Sequence, residues 1–323
     1  MAAQIEVEDS VKGARTLLLT LTLAVPPAYA ELRVFVVGGL GGEAEYAHRF
    51  DQQAAAVAQA ARRAGATPEN VILLSGERLN RDVLLRELNT FVGNAKPEDQ
   101  AVVVFIGHGS FDGESYRFNI PGPDVTGREI GAALDKLSST QQLVVNATSS
   151  SGAVAEEWKR PNRIVITATK SGGERNATRF AQYWVEALSS AEADRDKNET
   201  VTVVEAYEFA ARKVADTFKA DAALATEHSR IEGASPARFV VARLGEMAKL
   251  PSDAALADMM HEQTGIEQHI EELKGRKAAL PPEQYYDELE KVLIELAKLD
   301  LRIDERKAAL SGTRASDASS NTP

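Results

Sequence analysis

The chain of 323 residues contains no cysteine, so it can form neither a disulfide nor a thiolate nucleophile. Its stability must therefore come from the hydrophobic core alone. Basic charge is in deficit, with a net charge of −11, which argues against binding to nucleic acid and to anionic membrane surfaces. After residue 30 no apolar run is long enough to span a membrane. What is present, 44% hydrophobic and 26% charged residues, is typical of a globular protein.

Residues 1–30 contain the pattern of a secretory signal peptide. Two basic residues precede the apolar run 17–25, and Ala28 and Ala30 are the small residues that a signal peptidase needs. The acidic residues before Val11 do not fit such a leader, and translation starting at Val11 would remove them. A buried N-terminal helix or strand is the alternative. We therefore expect a periplasmic or secreted protein with no stable membrane insertion after signal removal.

Residues 31–249 alternate short β-branched runs with amphipathic helical stretches. This alternation predicts an α/β domain with a mainly parallel sheet and helices on both faces. The glycine at position 65 is predicted to stop the first helix. Strands are predicted at Leu32–Val37, Asn70–Leu74, Ala101–Ile106, Gln142–Asn146, Arg163–Ala168 and Arg238–Val241, and helices at Glu43–Ala64, Asn80–Val92, Gly127–Leu137, Ala177–Ala191 and Val201–Lys219.

Residues 250–310 show heptad-like apolar spacing instead. Two such stretches are separated by the prolines 281 and 282, which predicts two helices in an antiparallel hairpin. The hairpin would either stand apart and support a homo-oligomer or partner docking, or pack on the α/β domain. Residues 311–323 are rich in Ser, Thr, Asp and Asn and are predicted to be a disordered tail.

Candidate reactive groups follow the predicted strands at their carboxyl ends. His108 follows the third strand, Thr148 and Ser149 follow the fourth, and glycine-rich residues 38–42 follow the first. Because these ends meet at one edge of a parallel sheet, the groups should be adjacent in space. A neutral histidine could then take a proton from a hydroxyl and return it to a leaving amine. The simpler alternative for residues 148–151 is a Ser/Thr turn that caps the next helix.

The motifs around these positions resemble the legumain-type (C13) family of caspase-like cysteine peptidases. Gly107-His-Gly-Ser110 is similar to that family's catalytic histidine motif, and residues 145–152 are similar to the strand that ends in its catalytic cysteine. The resemblance covers roughly residues 31–241 and implies a caspase-like fold. It also implies that His108 is the base and that Gly107 and Gly109 are backbone positions at the oxyanion.

The cysteine position of that family can be placed in two ways. Counting from the strand gives Thr148, whereas counting back from Gly152 gives Ser149. Residues 118–124 and 166–172 resemble bacterial members of the family, and the second segment contains Ser171. The segment 43–48 lies where legumain-type enzymes hold substrate-binding residues. The resemblance therefore implies His48 and Ser171 as substrate-binding candidates, without carrying over asparagine specificity.

The absence of cysteine determines which function we expect. A hydroxyl is far less acidic than a thiol and needs an aligned base, usually one oriented by a third group. For His108 the sequence offers only the nearby Asp112 and Glu114. We therefore expect a catalytically impaired pseudopeptidase that binds peptide or protein partners. One alternative is an active hydrolase that uses a Ser or Thr hydroxyl with His108, and another is a scaffold whose hairpin mediates interaction.

No cofactor and no metal site are predicted. Residues 39–44 match the dinucleotide pattern G-x-G-x-x-A, but no acidic residue closes the next strand at the required distance. His228, His261 and His269 lack the spacing of metal ligands.

Overall fold

A computed structural model describes residues 31–233, 239–250 and 253–320, without the side chains of 254, 257, 261, 264, 268, 271 and 313–320. The predicted signal peptide therefore lies outside the described residues. The strands are β1 (Leu32–Gly38), β2 (Val71–Leu74), β3 (Gln100–Gly107), β4 (Gly109–Phe111), β5 (Tyr116–Phe118), β6 (Val125–Thr126), β7 (Gln141–Thr148), β8 (Arg163–Thr167), β9 (Thr200–Thr202), β10 (Arg230–Glu232) and β11 (Val240–Arg243). The helices are α1 (Ala44–Arg63), α2 (Arg81–Asn94), α3 (Gly127–Leu134), α4 (Ala155–Trp158), α5 (Phe180–Ala187), α6 (Val203–Ala220), α7 (Ala254–Gly275) and α8 (Pro282–Ser320).

The central sheet has six strands in the order β10-β8-β7-β3-β1-β2. Five of them pair in parallel, and β10 closes one edge antiparallel to β8. The five parallel strands are those that the runs of β-branched residues predict. The α/β fold with a mainly parallel sheet is therefore confirmed.

The central strands are buried on both faces, which explains their unbroken apolar sequences. Along β3, Val102, Val104 and Ile106 pack with α1, α5 and α6, whereas Val103 and Phe105 pack with α2 and α3. Helix α1 ends where predicted, because Gly65 takes the left-handed backbone (φ 104°) that terminates helices. The two helical layers leave the carboxyl ends of β1, β3 and β7 at a common edge, where the candidate residues lie.

Four features differ from the predicted elements. The sixth strand of the main sheet is β10, whose sequence Arg-Ile-Glu is too polar to read as a strand. Strand β11 leaves the main sheet and pairs with β9, so the predicted sixth strand belongs to a separate ribbon. Helix α6 begins at Val203, after β9, because Thr202 and Glu205 form a capping box. A small sheet of β4, β5 and β6 follows β3 and has no counterpart among the predicted elements.

The C-terminal helices α7 and α8 form the predicted antiparallel hairpin. Gln263 of α7 donates a hydrogen bond to Asp300 of α8 at 2.8 Å, and apolar side chains of both helices share a core with Met247. Helix α8 continues to Ser320, past residue 311, where the disordered tail is predicted to begin. No proline follows Pro282 until the last residue, and Ala, Arg and Ser permit a helix. Within the described residues, no helix is both long enough and apolar enough to cross a membrane.

Asp253 is predicted to be the main polar anchor of the hairpin. It caps α7 by accepting the N–H of Leu256 at 2.7 Å, and it pairs with Arg306 of α8 at 2.5 Å. Asp253→Ala should therefore lower the stability of the hairpin by about 1 to 2 kcal/mol. Faster amide hydrogen exchange in the first turn of α7 would report the loss. Asp253→Asn retains the cap and should lie between the two, whereas equal exchange in all three proteins would contradict the assignment.

Candidate functional site

His108 lies directly after β3, half-buried against aromatic residues of α1. Its ring centroid is 4.9 Å from that of Tyr46 and 5.1 Å from that of Phe50, with both rings approached edge-on. The guanidinium of Arg49 lies over the Tyr46 ring at 4.4 Å. Burial lowers the pKa of His108, and the charge of Arg49 lowers it further, against a raising hydrogen bond with the backbone of Gly41. The imidazole is therefore neutral at pH 7 and can accept a proton.

Thr148 and His108 lie on opposite faces of the sheet. Thr148 is fully buried, and its hydroxyl is 2.7 Å from the Tyr116 hydroxyl and 2.8 Å from the Asn146 carboxamide oxygen. This is the face of α2 and α3, whereas His108 lies on the face of α1. Ser149 is the first residue after β7 and lies in a turn, where the alternation of side chains along a strand no longer applies. Of the two predicted positions, Thr148 is therefore the one that cannot meet the histidine.

The turn that carries Ser149 is buried and strained. Ser149 is 2% exposed, and within the described residues no group hydrogen-bonds to its hydroxyl. The next residue, Ser150, is fully buried in the left-handed region (φ 56°), which non-glycine residues seldom adopt. The Ser150 hydroxyl is buried without a partner among the described residues. The Ser149 hydroxyl, unlike that of Ser150, is not fully enclosed, so the small accessible area of Ser149 includes its oxygen.

The backbone of Gly109 adjoins the same turn. The Asn119 N–H donates to the His108 carbonyl at 3.1 Å, so His108 is a hydrogen-bonded position opposite Asn119. Along an antiparallel pair, successive N–H groups point alternately toward and away from the partner strand. The Gly109 N–H therefore points away from β5. A Cβ at Gly109 would lie closer than 3.0 Å to the Ser149 carbonyl oxygen, so only glycine fits there. Gly107 instead lies within β3, in register with β7. Of the two glycines, Gly109 is the better placed to donate to an oxyanion.

The two carboxylates near His108 in sequence do not orient it. Asp112 accepts the N–H groups of Glu114 and Ser115 and pairs with Arg117 at 2.6 Å, all within the β4–β5 turn. These bonds hold the pKa of Asp112 well below its usual range. Glu114 is exposed in that turn. Among the described residues, no carboxylate is hydrogen-bonded to the imidazole of His108.

The predicted substrate-binding residues lie in two different places. His48 is exposed on α1, half a turn away from the residues that contact His108. Ser171 follows β8, and its hydroxyl accepts the N–H of Gly173 at 3.3 Å. The Ser171 backbone packs against Gly152, where an added Cβ would lie closer than 3.0 Å. Ser171 therefore adjoins the Ser149 turn, whereas His48 does not contact His108.

Glu174 and His228 support the Ser149 turn and were missed by the sequence reasoning. The Glu174 carbonyl accepts the Ser150 N–H at 2.8 Å, and its carboxylate is 2.6 Å from Nδ1 of His228. The same carboxylate accepts the N–H of Lys170 at 3.0 Å. Although burial opposes the effect, these bonds lower the pKa of Glu174. No sequence signal joins two residues 54 positions apart in irregular segments.

Glu227 is a further residue that the sequence did not indicate, and its buried carboxylate lies at the start of α5. Its carboxylate accepts the N–H groups of Arg179 and Phe180, each at 2.8 Å. Burial raises its pKa to about 7, in spite of these two hydrogen bonds.

In the described part of the chain, one group of acidic side chains is close enough to share a metal ion. It consists of Asp194, Asp196 and Glu205, and it lies in and after the loop before α6 rather than at this site.

Comparison with known proteins gives distant structural similarity. A caspase-1 from Spodoptera frugiperda superimposes with a TM-score of 0.46 at 10% identity, over 63% of this chain and 88% of the caspase chain. A protein designated GSU0716 from Geobacter sulfurreducens superimposes with a TM-score of 0.42 at 11% identity, over 68% of this chain and all of the other. No family model matches the chain, and no curated protein matches it.

Proposed function

We propose that this protein is an exported, legumain-like pseudopeptidase that binds a peptide or protein partner without cleaving it. The absence of any cysteine carries the proposal, because the thiolate chemistry of legumain-type peptidases is impossible in this chain. The absence of an orienting carboxylate on His108 among the described residues supports it, since hydroxyl catalysis needs an aligned base. The proposed pseudopeptidase would thus keep the histidine of a peptidase without a reactive partner for it.

Peptide binding is supported by the free edge of β4. This strand begins one residue after His108 and pairs only with β5 in the described structure. Its register directs the Gly109 N–H away from β5, so this N–H can donate to a carbonyl of an added strand, as in proteins that bind extended peptides by β-augmentation. Beside it, Arg49 has no acidic partner among the described residues and offers a positive charge to an acidic group of the ligand. We infer an extended peptide as the ligand of this edge.

An active serine hydrolase is the second candidate, and one observation favours it. Ser149 directly follows β7, the neighbour of the strand that ends before His108, and Gly109 lies against the same turn. Opening of the strained Ser150 turn would then complete a base, a nucleophile and an oxyanion donor.

Intact-mass spectrometry after fluorophosphonate treatment distinguishes these two functions. We expect no adduct on the purified protein, because His108 lacks a carboxylate that would orient it as a base for the Ser149 hydroxyl. The same spectrum of protein recovered after export should show a chain that begins at Glu31, which tests the signal peptide. A serine hydrolase of known reactivity serves as the positive control.

The decisive outcome against a pseudopeptidase is an adduct that disappears in both Ser149→Ala and His108→Ala. Thr148→Ser, on the opposite face, is the matched variant that should change nothing in labelling. An adduct that survives in both Ser149→Ala and His108→Ala would instead show non-specific labelling and leave the proposal standing.

The hairpin supports a scaffold role as a third candidate. Several large apolar side chains of α8 are exposed although both helices already share a core: Tyr286, Leu293, Ile294 and Leu301. Such side chains favour packing against a second copy or a partner helix. We propose this face for self-association, in addition to the peptide edge.

A further inference from the structure

The loop that leads into α6 contains an ordered series of oxygen-bearing residues and no histidine. Its twelve residues, 194–205, read Asp-Arg-Asp-Lys-Asn-Glu-Thr-Val-Thr-Val-Val-Glu. Positions 1, 3, 5, 7, 9 and 12 of a calcium-binding EF-hand loop supply its ligands, and position 12 is a glutamate. Here those positions are Asp194, Asp196, Asn198, Thr200, Thr202 and Glu205. The match includes neutral ligands, so it is more specific than a group of acids.

The structure brings the three charged residues of that order together. One carboxylate oxygen from each of Asp194, Asp196 and Glu205 lies within 4.8 Å of the others. Asp194 and Glu205 are buried, at 5% and 8% exposure. A divalent cation between these groups would remove their mutual repulsion.

The elements around the loop also correspond to the motif. The loop follows α5 by a short turn, positions 7–9 form β9, and Glu205 lies in the first turn of the exiting helix α6. Position 6 of the motif is normally glycine, because the chain turns sharply there. Glu199 occupies it with the same left-handed backbone, φ 62°.

We propose that residues 194–205 bind one Ca²⁺ ion. Asp194, Asp196 and Glu205 would supply the charged oxygens, with the Asn198 side chain and the Thr200 carbonyl as neutral ligands. Carboxylate and carbonyl oxygens without sulfur or imidazole select a hard cation such as Ca²⁺ over Zn²⁺. Because glutamate replaces the usual glycine, we expect moderate affinity, with a Kd of about 10⁻⁵ to 10⁻³ M.

Ion binding would also act on the connection to the hairpin. The Glu199 carboxylate accepts the N–H groups of Glu246 and Met247, at 3.1 and 3.2 Å. Met247 contributes to the hairpin core, so the loop is joined through Glu199 to the segment that precedes α7. Ca²⁺ would hold this segment by ordering the loop.

Isothermal titration calorimetry of the chelator-treated full chain with CaCl₂ tests the proposal. We expect one saturable site per chain, at least tenfold weaker binding in Asp196→Asn, and a similar loss in Glu205→Gln. Asp196 is exposed and its side chain bonds only to Asn198, so its variant should fold normally. Asp216→Asn, which removes an exposed carboxylate from α6, is the matched control and should bind like the parent.

Two results would overturn the site. Folded parent protein that shows no saturable uptake of Ca²⁺ up to about 10 mM, tenfold beyond the weakest affinity expected, would exclude it. Saturable binding that is equally strong in Asp196→Asn and Glu205→Gln would place the ion elsewhere. Because none of these variants changes His108 or Ser149, the result is independent of whether the protein hydrolyses peptides.

Discussion

Gly152→Ala is expected to lower the free energy of unfolding by about 3 kcal/mol or more. A Cβ at this position would lie closer than 3.0 Å to the Ser171 nitrogen and to backbone atoms of Thr169 and Lys170. Backbone atoms cannot rotate away as a side chain can, so the two loops must separate. Urea denaturation monitored by the fluorescence of the two buried tryptophans, Trp158 and Trp184, measures the loss.

Gly93→Ala is the matched control for that experiment. Gly93 lies within α2, and a Cβ there meets nothing within 4 Å. Alanine should raise stability by about 0.5 kcal/mol, since it favours the helical backbone more than glycine does. A Gly152→Ala protein as stable as the parent would show that the Ser149 turn and the loop after β8 are not in the close contact described.

Glu227→Gln is expected to remove a pH dependence of stability. In the folded protein the pKa of Glu227 is about 7, compared with an ordinary value of 4.5. A raised carboxyl pKa means that the folded state holds the proton more tightly than the unfolded state. The resulting stability is complete below about pH 4.5 and is lost as the pH rises through 7. From pH 5 to pH 8 the parent should lose about 2 to 3 kcal/mol relative to the variant.

Arg179 and Phe180 donate to different oxygens of Glu227, so glutamine can accept only one of the two N–H groups. This loss is the same at every pH and therefore does not alter the slope of the pH profile. Asp196, whose pKa is also about 7, titrates equally in both proteins, so the difference between them isolates Glu227. Thermal denaturation at half-unit pH steps measures it. The exposed Glu77→Gln should follow the parent, and a Glu227→Gln profile parallel to the parent would refute the buried-carboxylate interpretation.

The parallel strands could be predicted because burial on both faces leaves an unbroken apolar sequence. Strands β1, β3 and β7 have that sequence, whereas β10 places charged residues on a sheet edge and carries no such signal. The three-residue strands β4 and β5 are too short for a period-2 pattern to be distinguished. Helix α6 starts later than predicted. Its predicted first residues, Val201 and Thr202, fit a helical period, but Thr202 instead caps the helix that begins at Val203.

The candidate site was predictable only where it depends on strand ends. His108 and Ser149 could be placed together because their strands are neighbours in a parallel sheet. The choice between Ser149 and Thr148 needed the structure, which places the Thr148 hydroxyl beside Tyr116, on the face opposite to His108. Glu174, His228 and Glu227 come from irregular segments, where contacts depend on tertiary packing and leave no trace in local sequence.

The order of strands in the central sheet sets how the chain must fold. Leu32 of β1 lies beside Gln100 of β3, and Gln100 lies beside Gln141 of β7, so each pairing closes a loop of dozens of residues. Contacts between residues so remote in sequence slow folding, because loop entropy is lost before contacts are gained. The α7–α8 hairpin, built from contiguous residues, needs no such closure. Newly made chains should therefore form helical C-terminal structure quickly and complete the sheet late, remaining unfolded longer than a helical protein of equal length.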